Sequence, residues 1–178
     1  MKKNINSIFW ESALQKVLLH LARHPQAEFY GREAAARAGV GKSAANYALR
    51  RLADLGWVTV RSSGRMKHYR AIPDHPAVCQ VKVTDTIIGL EVFLKKLRPL
   101  AVKMVLYGSA ASGQDQEGSD VDVLVISNQP DAARRAALSF SPRIQTMVKD
   151  PVEWAGMQKS GEIFYREVER GIVLWKKM

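Results

Sequence analysis

Apolar side chains recur three or four positions apart in the first part of the chain, which is the spacing of a helix with one buried face. Residues 12–22 show this pattern at Leu14, Val17, Leu18 and Leu21. Residues 30–38 and 42–55 repeat it, and the segment Gly39-Val40-Gly41 between them predicts a tight turn. The pattern therefore predicts one helix followed by a helix-turn-helix pair.

The hydrophobic pattern then changes to strict alternation, which is typical of a strand. It begins at Trp57, passes the turn sequence Ser62-Ser63-Gly64-Arg65, and resumes from Met66 to Ile72. Glycine next to serine between two alternating runs favours a β-hairpin. The first part of the chain is thus predicted to end in a two-stranded wing.

Strands and helices alternate in the second part of the chain, after the interruption at Pro73 and Pro76. The pattern predicts a helix over 84–97, strands over 102–106, 121–126, 143–148 and 172–175, and helices over 131–138, from residue 151, and over 163–169. In Asp150-Pro151-Val152-Glu153, we expect Asp150 to cap its helix and Glu153 to reciprocate. Such alternation predicts a small α/β domain.

The predicted fold class is therefore a two-domain chain, α+β in its first part and α/β in its second. The predicted bounds are 1–75 for the winged helix-turn-helix, 76–98 for a linker helix and 99–178 for the α/β domain. One stripe of the linker helix suits either of two roles, a homodimer contact or packing on the sheet. Its members are Ile87, Leu90, Leu94 and Leu97.

Charge indicates the kind of partner. The 178 residues carry a formal net charge of +10, and residues 1–72 hold 13 of the 27 basic residues but only 4 of the 17 acidic ones. Such a positive field attracts polyanions, so a nucleic acid is the expected partner. The single cysteine, Cys79, excludes an internal disulfide and suits a reducing compartment. No apolar run is long enough for a membrane span, so we expect a cytoplasmic protein with no membrane partner.

The basic residues of the first part lie where a helix-turn-helix contacts DNA. The second helix of such a pair enters the major groove, and cations on the wing hold phosphates. The candidates on the helix are Lys42, Ser43, Asn46, Tyr47, Arg50 and Arg51, and those on the hairpin are Arg61, Arg65, Lys67 and Arg70. Two alternatives stay open, a merely solvated charged face and a protein-protein module.

The stretch from Glu28 to Arg70 resembles the winged helix-turn-helix family of bacterial and archaeal transcription regulators. The resemblance lies in Ala-Arg-Ala-Gly-Val-Gly-Lys-Ser-Ala and Leu-Ala-Asp-Leu-Gly-Trp-Val. It implies that double-stranded DNA is the partner and that transcription regulation is the role.

The sharpest motif of the second part is Gly108-Ser109, ten residues, then Asp120-Val121-Asp122 before an apolar strand. Residues i and i+2 of a strand point to one side, so the two carboxylates lie side by side. They repel unless a cation lies between them, and Mg²⁺ prefers such oxygen ligands. Gly108 allows close approach of a phosphate, and Ser109 offers a hydroxyl and a backbone N–H, beside an expected helix N-terminus.

This arrangement closely resembles the signature of the minimal nucleotidyltransferase family related to DNA polymerase beta, over about residues 90–177. The resemblance implies a mixed sheet with flanking helices. It also implies transfer of a nucleoside monophosphate from a nucleoside triphosphate such as ATP to a hydroxyl. By that carry-over Gly108 and Ser109 hold the triphosphate, and Asp120 and Asp122 are the catalytic, Mg²⁺-binding residues.

One departure from the family concerns its third carboxylate, which belongs on the following strand. No acidic residue occurs between Asp131 and Asp150, and Gln145 is expected in its place. Three functions therefore remain open. They are an Mg²⁺-dependent nucleotidyltransferase, a nucleotide-sensing regulator without efficient catalysis, and an antitoxin-like module that binds a helical partner protein.

Overall fold

The computed structural model describes residues 9–161 and 163–177, and the chain divides into two compact units. The N-terminal unit is Met1–Asp85 and the C-terminal unit is Thr86–Met178. The division falls inside the segment 76–98 that the sequence predicts as a linker. Within the described ranges, no helix has the length and apolar character needed to cross a bilayer.

The N-terminal unit has the predicted order of helix, helix-turn-helix and wing. Its elements are α1 (Ala13–Arg23), β1 (Phe29–Tyr30), α2 (Gly31–Ala38), α3 (Lys42–Asp54), β2 (Val58–Ser63), β3 (Met66–Ala71) and the first part of α4 (Pro76–Gly89). Ser12 caps α1 in a capping box with Gln15. Gly39 ends α2 at φ +63°, a conformation that favours glycine and makes the tight turn before α3.

The wing belongs to a three-stranded antiparallel sheet in the order β1-β3-β2. Strand β1 was absent from the sequence prediction, because two residues carry no readable alternation. It forms by pairing Phe29 with Tyr69 and Tyr30 with His68. Helices and sheet enclose one core, in which Val17, Leu21, Ala45, Leu49 and Leu52 are fully buried. The wing is thus fixed to the helix-turn-helix at its base.

In place of the single predicted helix over 76–98, the structure has two, α4 (Pro76–Gly89) and α5 (Glu91–Leu97). The break follows Gly89, and glycine has a low helix propensity. Leu90, Leu94 and Leu97 lie in the core of the C-terminal unit, each at most 3% exposed, and Ile87 packs against it. The stripe therefore packs within this unit, which is the second of the two roles predicted for it.

The C-terminal unit is a mixed sheet with flanking helices, as the sequence predicts. After α5 follow β4 (Lys103–Tyr107), α6 (Gly108–Ser112), β5 (Val121–Ile126), α7 (Pro130–Ala137), β6 (Ile144–Lys149), α8 (Pro151–Ser160), α9 (Ile163–Glu169) and β7 (Ile172–Lys176). The strand order is β6-β5-β4-β7. Strands β5 and β6 are parallel, and the other neighbours are antiparallel. Asp150 and Glu153 form the predicted capping box at α8.

Alternation along β5 sends its side chains to two different cores. Val123 and Val125 face the core that contains Leu94 of α5. Leu124 and Ile126 face the opposite side, with Val168 of α9. Asp122 precedes Leu124 by two residues, so its carboxylate lies on the side covered by α9.

The turn from α9 into β7 lies directly on β4. A Cβ atom added at Gly171 would collide with the backbone oxygen of Leu106 and come within 2.9 Å of Val105 Cγ1. Only glycine allows this approach without a shift of the backbone. The C-terminal end of α9 is therefore fixed against the strand that leads into Gly108.

Candidate functional site

The carboxylate of Asp122 rests against the backbone of Gly108. Asp122 pairs with Tyr107 across the antiparallel strands β4 and β5, which brings Gly108 next to it. Gly108 has φ +69°, and a Cβ added there would lie 2.8 Å from Asp122 Oδ2. A side chain at residue 108 would meet both backbone strain and the carboxylate. The glycine of the Gly-Ser motif is thus required by the aspartate of the Asp-x-Asp motif.

Negative charge collects at this point. Burial raises the pKa of Asp122, and the charges of Asp120 and Glu167 raise it further. The pKa of Tyr107 is raised to about 12 by burial, and then by Asp122 and Glu167. Within the described ranges, neither Asp120 nor Asp122 forms an ion pair with a basic side chain of the chain. Such a carboxylate pair favours a bound cation.

Strand β6 contributes an amide beside these carboxylates. Gln145 is the partner of Asp122 in the parallel β5–β6 register, so the two side chains share one face. Its Nε2 donates a hydrogen bond to the backbone oxygen of Pro142 at 3.1 Å. Asp150 is occupied as the α8 cap, as predicted. In the described part of the chain, no three His, Cys, Asp or Glu side chains are arranged to hold a metal ion.

A pocket of about 750 Å³ opens beside Gly108. One wall comes from α6 and the residues around it, and the other comes from α9 and the turn after it. The lining residues are Gly108, Ser109, Ala111, Ser112, Gln114, Ile163, Arg166, Glu167, Arg170 and Gly171. Gly108 and Ser109, which the sequence selects as nucleotide-binding, thus lie in one pocket, with Asp122 adjoining through Gly108.

Sequence reasoning missed the α9 wall of this pocket. Its only local signal is the presence of two cations, Arg166 and Arg170, four positions apart. Three other arginines of this unit, Arg134, Arg135 and Arg143, do not line it. Arg134 instead pairs with Asp131 at 2.8 Å.

The donor set fits a magnesium ion bound together with a nucleotide. Mg²⁺ in proteins commonly takes one or two carboxylates and completes its octahedron with phosphate oxygens and water. Asp120 and Asp122 supply two carboxylates without a basic partner among the described residues, next to a pocket that has room for phosphates. Two carboxylates are too few to hold a magnesium ion by protein ligands alone.

A second, basic groove lies in the N-terminal unit between α3 and the hairpin, with a volume of about 560 Å³. Of the residues predicted to bind DNA, it brings together Lys42, Asn46, Arg50, Arg65 and Lys67. Tyr30, Gly31, Arg32, Met66 and Tyr69 complete the lining. Cations from the helix and from the hairpin thus face one groove, and Arg32 of α2 adds a cation that the sequence analysis did not select.

The other predicted DNA-binding residues lie outside this groove. Ser43 and Tyr47 are exposed on α3, and Arg51 lies 3.9 Å from Asp54. Arg70 is exposed on β3. Arg61 is held by Glu28, whose two carboxylate oxygens each accept a hydrogen bond from Arg61 Nε at 3.1 Å.

Asn46 has a contact that its sequence position did not suggest. Its side-chain oxygen occupies the space that a Cβ atom at Gly31 would need. Gly31 is the first residue of α2, so this contact joins the two helices of the helix-turn-helix at close range. Asn46 is half-buried there, and it packs α3 on α2 as well as lining the groove.

Comparison with known proteins finds a similar family for a part of each unit. Residues 16–66 match the family model of the MarR family, and residues 87–169 match that of the nucleotidyltransferase domain. No curated protein matches the chain.

Some solved structures show a partial likeness. Sso10a-2, a DNA-binding protein from Sulfolobus solfataricus, has 13% identity and a TM-score of 0.39, with 48% of this chain and 90% of that chain covered. The heme sensor protein PefR from Streptococcus agalactiae, in complex with heme, has 17% identity and a TM-score of 0.36, with 53% and 67% covered. These likenesses are weak, and the family models carry the assignment. The first part of the chain is therefore similar to the MarR family, and the second part is similar to the nucleotidyltransferase domain.

Proposed function

We propose that the protein is a DNA-binding transcription regulator whose nucleotidyltransferase domain binds a magnesium-complexed nucleoside triphosphate, such as ATP, as a regulatory ligand. The observation that carries this proposal is the pairing of Asp122 with Gln145 beside Gly108. The site keeps the glycine and the aspartates that support nucleotide binding. Beside Asp122 it has an amide where a carboxylate would support transfer.

The case for nucleotide binding starts from the two carboxylates. Asp120 and Asp122 concentrate negative charge, and a magnesium ion would neutralise it and could bind the phosphates of a nucleotide as well. The adjoining pocket of about 750 Å³ has the volume of a typical small-molecule site, roughly 300–1,000 Å³. Ser109 adds a hydroxyl on the same wall.

The case against efficient transfer rests on proton removal. An attacking hydroxyl needs a group that accepts its proton, and a general base contributes about 10²–10⁴-fold to such a rate. Gln145 stands beside Asp122 with an amide, which does not accept a proton at neutral pH. When bound, the magnesium ion would polarise the phosphates, but the strand beside Asp122 supplies no base for the acceptor.

The case for DNA binding rests on the groove between α3 and the hairpin. It is lined by five cations, Arg32, Lys42, Arg50, Arg65 and Lys67. Phosphate contacts from such residues supply much of the affinity of a DNA-binding protein and position it on the duplex.

The test uses the full chain. Magnesium and ATP are titrated calorimetrically into the wild type and into Asp120→Asn/Asp122→Asn, with Glu117→Gln as a matched control that removes an exposed acid from the same loop. Pyrophosphate release is followed on the same samples. We expect binding that needs the aspartates and tolerates the control, without release.

DNA affinity is then measured with and without magnesium ATP. A regulatory ligand changes DNA affinity by some factor, and DNA must change the ATP affinity by the same factor. Equal DNA affinity under both conditions would contradict the regulatory role. No ATP binding at all would favour the third function, a docking domain for a helical partner protein, which co-purification would reveal.

Nucleotidyl transfer is the second candidate, and one observation favours it. The carboxylate of Glu167 lines the pocket from α9 and acts electrostatically on Asp122. If this group replaces the missing base of β6, pyrophosphate is released by the wild type and not by Glu167→Gln, while ATP binding persists in both.

A further inference from the structure

We infer that α9 supplies the phosphate-selecting wall of the nucleotide pocket, with Arg166 and Arg170 as the side chains that bind the terminal phosphates. The inference rests on the proposed nucleotide binding and deepens it. It names the ligand class as a polyphosphate chain and assigns its recognition to residues outside the Gly-Ser and Asp-x-Asp motifs.

The first argument is placement. Arg166 lies on α9, and Arg170 directly follows its last residue, in the turn before β7. Both line the pocket that Gly108 and Ser109 line from the other wall. A ligand held near the carboxylates at one wall can therefore reach two guanidinium groups at the other.

The second argument is charge. In the described part of the chain, neither arginine forms an ion pair, whereas Arg98 and Arg134 of the same unit pair with Glu91 and Asp131. Of the acids of α9, Glu169 lies 3.7 Å from Lys103 Nζ. Glu167 lines the pocket with the arginines but forms no ion pair with them within the described ranges. Two cations without carboxylate partners thus border a pocket, where an anionic ligand could bind to both.

The third argument is that the backbone holding these arginines is fixed. Val168, between them in the sequence, is 2% exposed in the core beneath α9. Gly171, directly after Arg170, packs on the backbone of β4. Such anchoring lowers the ordering cost of binding a ligand.

The chemistry of arginine then predicts which ligands are preferred. A guanidinium group donates paired hydrogen bonds to phosphate oxygens, and charge-assisted bonds of this kind are the stronger ones. Each further phosphate offers more acceptors and more charge to the α9 wall. Affinity should therefore rise from AMP to ADP to ATP, and inorganic tripolyphosphate should compete with ATP although it has no base.

The experiment measures the binding of these four ligands, in the presence of magnesium, to the full chain. The variant Arg166→Gln/Arg170→Gln is compared with Arg134→Gln/Arg135→Gln, which removes the same charge from exposed arginines outside the pocket. We expect the first variant to bind ATP and tripolyphosphate about tenfold more weakly and AMP less than about threefold more weakly. The control variant should match the wild type.

Several outcomes would overturn the inference. Equal losses of affinity for AMP and ATP in the α9 variant, or equal losses of ATP affinity in both variants, would mean that these arginines do not bind the terminal phosphates. If ATP binding needs the aspartates but is equally strong in the α9 variant and the wild type, this inference is wrong and the proposed function stands. No ATP binding by the wild type would remove both. Arg166→Lys/Arg170→Lys keeps the charge, and it should retain part of the preference if the glutamine variant does not fold.

Discussion

Gln145 lies next to Asp122 as its register partner in the parallel pair of β5 and β6. Neighbouring strands are about 4.8 Å apart, so the amide and the carboxylate share one small region on the same face of the sheet. The region holds the negative charges of Asp120, Asp122 and Glu167. A third acid at residue 145 would add to that charge and would offer a further ligand to a cation.

The substitution Gln145→Asp is therefore expected to convert a binding site into a reactive one. The new carboxylate supplies both a magnesium ligand and a proton acceptor, and we expect pyrophosphate release to rise by about 10²-fold or more. Magnesium dependence of ATP binding should also become steeper. Release is measured on the full chain with ATP and magnesium.

The matched control for this substitution is Met147→Asp. Met147 lies two residues further along the same face of β6 and is 41% exposed. An aspartate at this position therefore adds the same charge further from Gly108. Equal release from both variants would show that position 145 has no special relation to the reaction.

Gly108→Ala is expected to weaken nucleotide binding at a modest cost in stability. Alanine at φ +69° carries strain of roughly 1–2 kcal/mol. Its Cβ would also lie 2.8 Å from Asp122 Oδ2 and displace that carboxylate. We expect ATP affinity, measured by calorimetry, to fall about tenfold or more.

Gly118→Ala separates these two effects. Gly118 also has a positive φ, +89°, but a Cβ there would have only Arg143 Nη2 nearby, at 3.9 Å. Its loss of thermal stability should resemble that of Gly108→Ala, while ATP binding remains. If both variants lose ATP binding alike, backbone strain explains the loss and the contact with Asp122 does not.

Much of the site could be predicted from the sequence because its signals are local. The spacing of Gly108-Ser109 and Asp120-Val121-Asp122, each beside an apolar strand, predicted the strands that position them. The pattern over residues 143–148 predicted the strand that contains Gln145, and the family resemblance placed Gln145 at the position of the third carboxylate. Short-range periodicity and motif spacing predicted the strands, and the resemblance related them to one another.

The features that the sequence could not predict depend on distant contacts. Arg166 and Arg170 join the pocket only because Gly171 allows α9 to approach β4. The pair of Arg61 with Glu28 links residues 33 positions apart, so charge composition alone assigned Arg61 to DNA. Strand β1 exists through its pairing with β3, and nothing within Phe29–Tyr30 indicates it.

DNA binding should depend on Arg50 and Arg65 more than on Arg61. Arg50 and Arg65 line the groove between α3 and the hairpin, whereas the Arg61 guanidinium is bound by Glu28. Removing one cation that binds a DNA phosphate lowers the slope of log K against log salt by about 0.9. We expect Arg50→Ala/Arg65→Ala to lower this slope by nearly two such steps, as measured by fluorescence anisotropy at several salt concentrations.

The control for that prediction is Arg61→Ala, whose slope should stay close to that of the wild type. A larger change for Arg61→Ala than for the double variant would place the DNA on the opposite side of the hairpin. An unchanged slope in both variants would contradict DNA binding through this groove.

The stability of the N-terminal unit is expected to depend on pH through a histidine cluster. The ring of His20 on α1 lies 4.5 Å from that of His24 and 4.7 Å from that of Phe29, between ring centroids. Its Nε2 is buried and has no hydrogen-bond partner within the described ranges. The pKa of His20 is lowered from 6.5 to about 4, first by burial and then by the charges of His24 and Arg37.

Between about pH 6.5 and pH 4, the unfolded chain therefore binds a proton at His20 that the folded chain does not, and the free energy of unfolding must fall as the pH is lowered through this range. Above pH 6.5 the contribution of His20 is complete, because both states hold the neutral imidazole. Urea unfolding at several pH values should show this decline in the wild type and a shallower one in His20→Gln. The control His68→Gln changes an imidazole on the hairpin and should keep the wild-type slope. A decline of equal steepness in His20→Gln would assign the pH dependence to other groups.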